Sequence, residues 1–543
     1  MKINNSNERN KNGENNIDDN SITDFLKNSN NNKIETLGYN LKKMIDKHKV
    51  ISFDIFDTLL IRPYIKPTDL FLHLEKLNNV KGFKNARIKA EKKIRHKYYK
   101  LKKDITFDEI YKAINKKYKW LKEKELLLEY TVIYARPFMK KIYKYACRKN
   151  KKIIVISDMY LPKQFLSDVL KKNGYINIDK LYVSSESRKS KRFSLLFKMV
   201  IKELNIPKKD ILHIGNNLFT DIKQSKKSGI NAFYVPKIKK FLFESDSQLS
   251  KFYKKHNNDL GTSIMLGLLA YHSELNYKNY WYEFGYKYAG PVIFGYMQWL
   301  NNQLKKDEIN KVLFVGRDGY TPEKVFKIIN NSITTHYFYF PRKVAYAILK
   351  NKDNIEMADR IKEEFINYIN QFHLNDKKLF LVDGISYNLS FQKVIKRIFP
   401  RNYIRGSYFS VGKKRFKNML YDKFLKKHRA NLAKIIQFIM TAPTPPVKSI
   451  ENGNPIFKEA NEVEIEIIKL YPELSKGAID FAKDCKYFFK NLNLYFSDEM
   501  IVDWLYKIMN NPIEVDKNMF FNIEFSLNVN HNKYQKLFKE WYR

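Results

Sequence analysis

VISFDIFDTLL (residues 50–60) sets a carboxylate, Asp54, at the tip of an apolar run. A run of four to six such residues reads as a strand buried on both faces of a parallel sheet. Three later pieces follow the same logic: IIVISD (153–158), KRFSLLF (191–197) and ILHIGNNLFTD (211–221). Two of them end an apolar run in hydroxyl or carboxylate groups, and the middle one supplies a lysine. Polar groups at such strand ends gather in the crevice outside the sheet, where α/β folds bind ligands. The four pieces together describe a phosphate-handling site.

Working outward, the strands VISFDIF, KIIVISD, KLYVSSE, DILHIGN and NAFYVP are mostly followed by helical stretches. This alternation predicts an α/β fold, a Rossmann-like doubly wound parallel sheet over residues 39–240. Nearly one hundred residues separate the first two strands, far more than a crossover needs. ARIKAEKKIRHKYYKLKK and TFDEIYKAINKKYKWLKEKELLLEYTVIY read as helices, so residues 66–149 are expected to form an inserted helical cap. Residues 1–38 are rich in Asn, Ser, Asp and Lys and are expected to be a disordered tail. Residues 241–275 read as a connector that passes from polar to apolar. Residues 276–427 read as a second Rossmann-like α/β domain with strands KVLFVGRD, HYFYFP, KLFLVDG and IRGSYFSV. Residues 428–543 read as mostly helical, and no fixed-period repeat is found.

A chain of 543 residues with 44% hydrophobic residues is globular over most of its length and has room for roughly three to four domains. Its two cysteines, Cys147 and Cys485, exclude a disulfide framework and a CxxC metal site, and they fit a reducing compartment. The first twenty residues lack the apolar core of a signal peptide. SIMLGLLAY and AGPVIFGYMQWL are too short to span a bilayer. The expectation is a cytoplasmic protein. The net charge of +44, from 101 Lys+Arg against 57 Asp+Glu, has two readings. One is an anionic partner, either a polymer or the inner face of the membrane. The other is compositional drift, since Lys, Asn and Ile are heavily used together. No zinc finger or RNA-binding signature accompanies the charge, so no specific nucleic-acid partner is read.

Strand, Asp at its tip, then Thr, with the later Ser, Lys and Asp in this order, resembles the haloacid dehalogenase-like (HAD) superfamily over about residues 41–240. FDIFDTLL, SDMYLP, RIKAE and FVGRDGY further resemble a group of bacterial HAD hydrolases linked to surface-polysaccharide gene clusters. The resemblance implies a Mg²⁺-dependent phosphohydrolase or phosphotransferase acting through an aspartyl-phosphate, on a phosphorylated sugar or glycan precursor. Asp54 would attack phosphorus. Ser157 would hydrogen-bond a phosphoryl oxygen, Lys191 would stabilise charge and Thr58 would orient the loop. Mg²⁺ would sit against Asp54, the backbone carbonyl of Phe56 and Asp221, with Asn216 as a ligand or a holder of water.

The chain departs from that pattern twice. Superfamily phosphatases carry a general acid/base two residues past the nucleophile, where this chain has Phe56; Asp57 follows one residue later. Losing that group costs ~10²–10⁴ in rate. Side chains alternate along a strand, so Asp57 replaces it only if the loop bends there. The fourth motif usually opens Gly-Asp, and here it is Gly215-Asn216. Two alternatives stand beside the phosphatase reading. One is a degenerate domain that binds phosphorylated ligands or proteins without turnover. The other is a metal-free dehalogenase, which also has an aromatic residue two past the nucleophile. In the second α/β unit, Arg317, Asp318, Arg342 and Asp383 fall after apolar runs. They form a possible second site for a sugar-phosphate or nucleotide-linked ligand. The bland reading of the same residues is turn chemistry.

Overall fold

The computed structural model describes residues 30–542 apart from 276, 278, 308, 310, 351–354, 375–377, 413–415, 417, 490–493, 495 and 526–533. The first unit is a mixed α/β domain. Strands β1 (Val50–Phe53), β2 (Lys152–Ser157), β3 (Lys180–Val183), β4 (Ile211–Gly215) and β5 (Asn231–Tyr234) pair in parallel in the order β3-β2-β1-β4-β5. Their apolar runs exist because both faces are covered. Ile51, Phe53, Ile153 and Val155 join one core. The alternate residues Val50, Ile154 and Ile156 join another with Leu196, Phe197 and Val200 of the helix Leu195–Leu204. Strand order reverses between β1 and β4, which opens the crevice at their C-terminal ends.

The insertion after β1 holds the helices Asp69–Leu77, Phe83–Tyr99, Phe107–Ala113 and Lys122–Val132. A buried ion pair, Arg87 to Glu125 at 2.9 Å, ties them together, and the Tyr111 hydroxyl donates to the same carboxylate at 2.6 Å. Thr106 and Glu109 form a capping box at the start of Phe107–Ala113. The predicted cap runs too far. The helix Pro137–Arg148 belongs to the sheet, its Tyr143 ring centroid lying 5.8 Å from that of Phe53. The predicted tail also runs too far, because Asn30–Asp46 is a helix with Leu41 and Ile45 buried. Its apolar residues recur with helical period (34, 37, 41, 45), which a composition average hides. Residues 1–29 lie outside the described residues.

The expected connector is three helices, Ile238–Ser245, Gln248–Lys255 and Leu260–His272, the last buried nearly all round. It shares one core with the helix Gly290–Asp307 and the 28-residue helix Glu462–Phe489. The second sheet is also parallel: β6 (Lys311–Val315), β7 (Thr334–Phe338), β8 (Lys378–Ser386), β9 (Tyr403–Val411) and β10 (Leu420–Lys423), in the order β10-β9-β8-β6-β7. Its order reverses between β6 and β8. The C-terminal region adds a hairpin, Val447–Glu451 with Asn454–Phe457, turned through Asn452 and Gly453 at φ 51° and 72°. Among the described residues no helix is long and apolar enough to cross a membrane.

Candidate active site

Asp54 follows β1 directly, and its backbone N–H donates to the Ile214 carbonyl of β4 at 2.9 Å. That bond fixes the carboxylate at the switch point. Lys191 opens the turn Lys191–Phe193 and is buried. Its Nζ lies 2.6 Å from Oδ1 of Asp54 and 2.6 Å from Oδ1 of Asp221. The Lys191 backbone N–H in turn donates to Asp158 at 2.7 Å. Asp221 reaches the cluster because residue 215 has no side chain: a Cβ there would lie 2.5 Å from the Asp221 carboxyl. Asn217 caps the turn carrying Asp221 through the N–H groups of Phe219 and Thr220, while its own N–H donates to Asp221 at 2.9 Å.

Two carboxylates thus meet one ammonium, and a third, Asp158 on the lysine's backbone N–H, acts on it electrostatically. Burial pushes the Asp54 carboxyl up to about 7, against the pull of Lys191 and with the push of Asp221. Burial raises Asp158 to about 6, again opposed by Lys191. Burial would lift Asp221 as well, but Lys191 and His213 outweigh it and hold that carboxyl well below the usual range. Burial opposes the charge on Lys191, yet Asp221, Asp54 and Asp158 prevail and raise it. The lysine is therefore a fixed cation, and the proton that enters this cluster near neutrality goes to Asp54.

The loop after β1 does bend. The Leu60 N–H donates to the Ile55 carbonyl at 2.8 Å, and Asp57 takes a left-handed φ of 58°. The bend does not bring Asp57 to Lys191, because its carboxylate pairs with Lys237 at 2.9 Å. Phe56 stacks under the Arg62 guanidinium, 4.1 Å from its centroid. Thr58 is buried and accepts from Asn216 Nδ2 at 3.0 Å, which gives it a hold on the loop. Ser157 ends β2, buried, at the sheet edge that carries Asp54.

The expected Mg²⁺ ligands do not fit a divalent cation as they stand. The Asp54 and Asp221 carboxylates do converge, but on the Lys191 ammonium. The Phe56 carbonyl accepts from Asn216 Nδ2 at 2.5 Å, so Asn216 closes the corner that a cation would enter. No group of three or more His, Cys, Asp or Glu converges here or elsewhere among the described residues, so at this corner a cation would depend on two carboxylates that Lys191 already occupies.

Three residues of this region carry no sequence signal. Arg136 is fully buried, donates to the Asp57 carbonyl at 2.9 Å and pairs with Glu274 at 2.6 Å, fastening the loop after β1 to the helical connector. His213, on β4, is held by Ser52 at 2.8 Å and places Nε2 3.5 Å from Asp221. Lys237 lies beyond β5 and takes up Asp57. Each works over a sequence separation that no local pattern records.

The second predicted group also gathers at a switch point. Asp318 follows β6, and Asp383 lies in the C-terminal half of β8. A Cβ on Gly384 would lie 2.3 Å from Asp318 Oδ2, so the two segments touch there only because that residue is glycine. Arg317 pairs with Glu464 of the long C-terminal helix at 3.0 Å. Arg342 starts the helix Arg342–Leu349 and acts electrostatically on both aspartates. Burial raises Asp318 to about 6, and burial together with Asp318 raises Asp383 to about 7.

No family model matches the chain, and no curated protein does. Solved structures match part of it. An L-2-haloacid dehalogenase from Xanthobacter autotrophicus is 14% identical, over 35% of this chain and 77% of that one, with a TM-score of 0.27. YfnB of Bacillus subtilis, described as a HAD-hydrolase bound to magnesium, is 16% identical over 35% of this chain and 89% of its own, with a TM-score of 0.27. A HAD family enzyme of Bacteroides thetaiotaomicron is 14% identical over 35% and 94%, with a TM-score of 0.28.

Proposed function

We propose that the first unit is a HAD-type hydrolase in which Asp54 is the covalent nucleophile and the substrate is a phosphorylated small molecule. The observation that carries this reading is the single ammonium of Lys191 set 2.6 Å from both Asp54 and Asp221. In the reading, an Asp54 oxygen attacks phosphorus as the P–O bond to the leaving alcohol breaks, giving an aspartyl-phosphate. Water then cleaves that acyl-phosphate and restores the carboxylate. Lys191 pulls the Asp54 carboxyl toward ionisation against the effect of its burial, and it offsets charge on the transferring group. Asp221, itself held by the Asn217 N–H, and Asp158 hold Lys191 in place. With Phe56 in the general-acid position and Asp57 taken by Lys237, the leaving group must depart without strong protonation. Activated or acidic leaving groups are therefore preferred. No step is assigned to Mg²⁺, since the donor set does not receive it. A glycan precursor as the natural substrate rests on the sequence resemblance alone.

A second reading, a degenerate domain that binds a phosphorylated ligand without turnover, is favoured by the Asn216 amide on the Phe56 carbonyl. One experiment separates the two. Purified full-length chain is screened against p-nitrophenyl phosphate, acyl phosphates, sugar phosphates and 2-chloropropionate, each with MgCl₂ and with EDTA, beside Asp54→Asn. Phosphate release lost in Asp54→Asn supports the hydrolase. Halide release lost in the same variant replaces the phosphorus substrate with a carbon one. No turnover, with sugar-phosphate binding kept in the variant, establishes the binding module.

A further inference from the structure

The second crevice repeats the logic of the first with different chemistry. It lies where strand order reverses, between β6 and β8, the place where open α/β sheets bind ligands. Asp318 and Asp383 stand there half-buried, with Arg317 beside them and Arg342 exposed at the rim. Among the described residues, three buried polar atoms in this neighbourhood have no hydrogen-bond partner: Nε of Arg317 and the hydroxyls of Tyr337 and Tyr471. Tyr471 is only 1% exposed, and its hydroxyl feels Arg317, Asp318 and Glu464. All three atoms are hydrogen-bond donors. Buried donors left unmade are costly, and an acceptor-rich ligand removes the cost.

We propose that this crevice binds a phosphoryl group together with a divalent cation. Asp318 and Asp383 hold the cation, while Arg317, Arg342 and the Tyr471 hydroxyl hold the phosphoryl oxygens. Two adjacent carboxylates repel each other and call for a cation, yet two are too few to enclose one. Mg²⁺ in particular is held by one or two carboxylates, with phosphate and water completing its octahedron. The arginines and the unpaired donors call for an anion with several acceptors, which a phosphoryl group supplies in the geometry that a guanidinium fork matches. A neutral sugar would answer neither demand. Glu464 already neutralises one nitrogen of Arg317 and leaves Nε free to turn to the ligand. This inference stands on its own residues and is independent of turnover at Asp54.

The test is calorimetric titration of the full chain with inorganic pyrophosphate, in MgCl₂ and in EDTA, and with MgCl₂ alone. Saturable binding in MgCl₂, weakened at least tenfold by EDTA, is expected. Asp383→Asn and Arg342→Ala should each weaken it at least tenfold, and Tyr471→Phe several-fold. Asp54→Asn should leave it unchanged, which separates this crevice from the first. Arg342 is exposed and Tyr471→Phe removes one hydroxyl, so these two decide the matter if Asp383→Asn does not fold. Absence of binding at millimolar pyrophosphate, binding indifferent to EDTA, or binding lost in Asp54→Asn but kept in Arg342→Ala and Tyr471→Phe would each overturn the proposal.

Discussion

The Lys191 ammonium and Oδ1 of Asp54 meet at 2.6 Å inside the protein, and the same nitrogen serves Asp221 at an equal distance. One cation shared by two carboxylates cannot satisfy both fully in a low-dielectric site. Lys191→Met would leave Asp54 and Asp221 facing each other without the ammonium, and would remove the cation that also acts on Asp158. The variant is expected to lose about 3–5 kcal/mol of stability at pH 8. It should regain part of that as the pH falls and the carboxylates protonate. Urea unfolding at pH 8 and pH 5 measures the difference. Equal destabilisation at both values would show that the ammonium is not what holds the carboxylates.

Asp54 pays for its position. Its carboxyl is raised by burial from the ordinary carboxylate range to about 7 in the folded chain. A raised folded pKa means that the group favours folding fully below about pH 4, and the benefit is lost as the pH climbs through about 7. Above pH 7 the ionised carboxylate therefore works against the fold. Asp54→Asn should raise the melting temperature at pH 8, by a stabilisation of about 1–3 kcal/mol, and change it little at pH 4. If Asp54 is the attacking group, hydrolysis by the intact protein should in turn show an acid limb near pH 7, where its carboxyl ionises. Because Asp221 pushes the Asp54 carboxyl up, Asp221→Asn should move that limb to lower pH. A pH–rate profile of kcat/KM for the two proteins reads both effects.

Asn216 decides the metal question. Its Nδ2 donates to the Phe56 carbonyl at 2.5 Å and to Thr58 at 3.0 Å. In Asn216→Asp two donated bonds vanish and a carboxylate oxygen meets a carbonyl, in a cluster already rich in negative charge. The variant should be destabilised in EDTA by about 2–3 kcal/mol. A divalent cation that enters the vacated corner would restore about 2.7 kcal/mol at a hundred times its dissociation constant. Thermal melts with and without MgCl₂ should show a magnesium-dependent rise in the variant larger than in the parent chain. Equal response in both would mean that Asn216 is not what bars the ion.

What could be read from the sequence follows the range of the forces involved. β1, β2 and β4 were legible because burial on both faces demands unbroken apolar residues, whereas Asp54, Lys191 and Asp221 were singled out as a set through the family resemblance of the ordered motifs. β10 was not, since Leu420–Lys423 lies on the sheet edge with its residues exposed or half-buried and carries no apolar run. Asp57 was misplaced for a different reason. Its partner Lys237 lies beyond β5, and nothing near residue 57 announces it. The helical connector was blurred because Leu260–His272 is apolar all round, which erases the period that marks a surface helix.

Arg136 links two parts of the molecule that the sequence keeps far apart. Its guanidinium is fully buried between Glu274, at 2.6 Å, and the Asp57 carbonyl, at 2.9 Å. The Glu274 carboxylate also accepts from the Phe138 backbone at 3.3 Å, so the pair is hydrogen-bonded on both sides as well as matched in charge. Removing one partner strands the other as an uncompensated buried charge. Arg136→Met should therefore cost about 3–5 kcal/mol, while the double variant Arg136→Met with Glu274→Leu should recover much of it. Activity should not return with stability. The Asp57 carbonyl loses its donor in both variants, and the loop that begins at Asp54 loses its tether to the connector. A stable double variant with restored fold and full turnover would show that the tether does not position Asp54 for the proposed reaction; a stable one with lowered kcat and unchanged binding would show that it does.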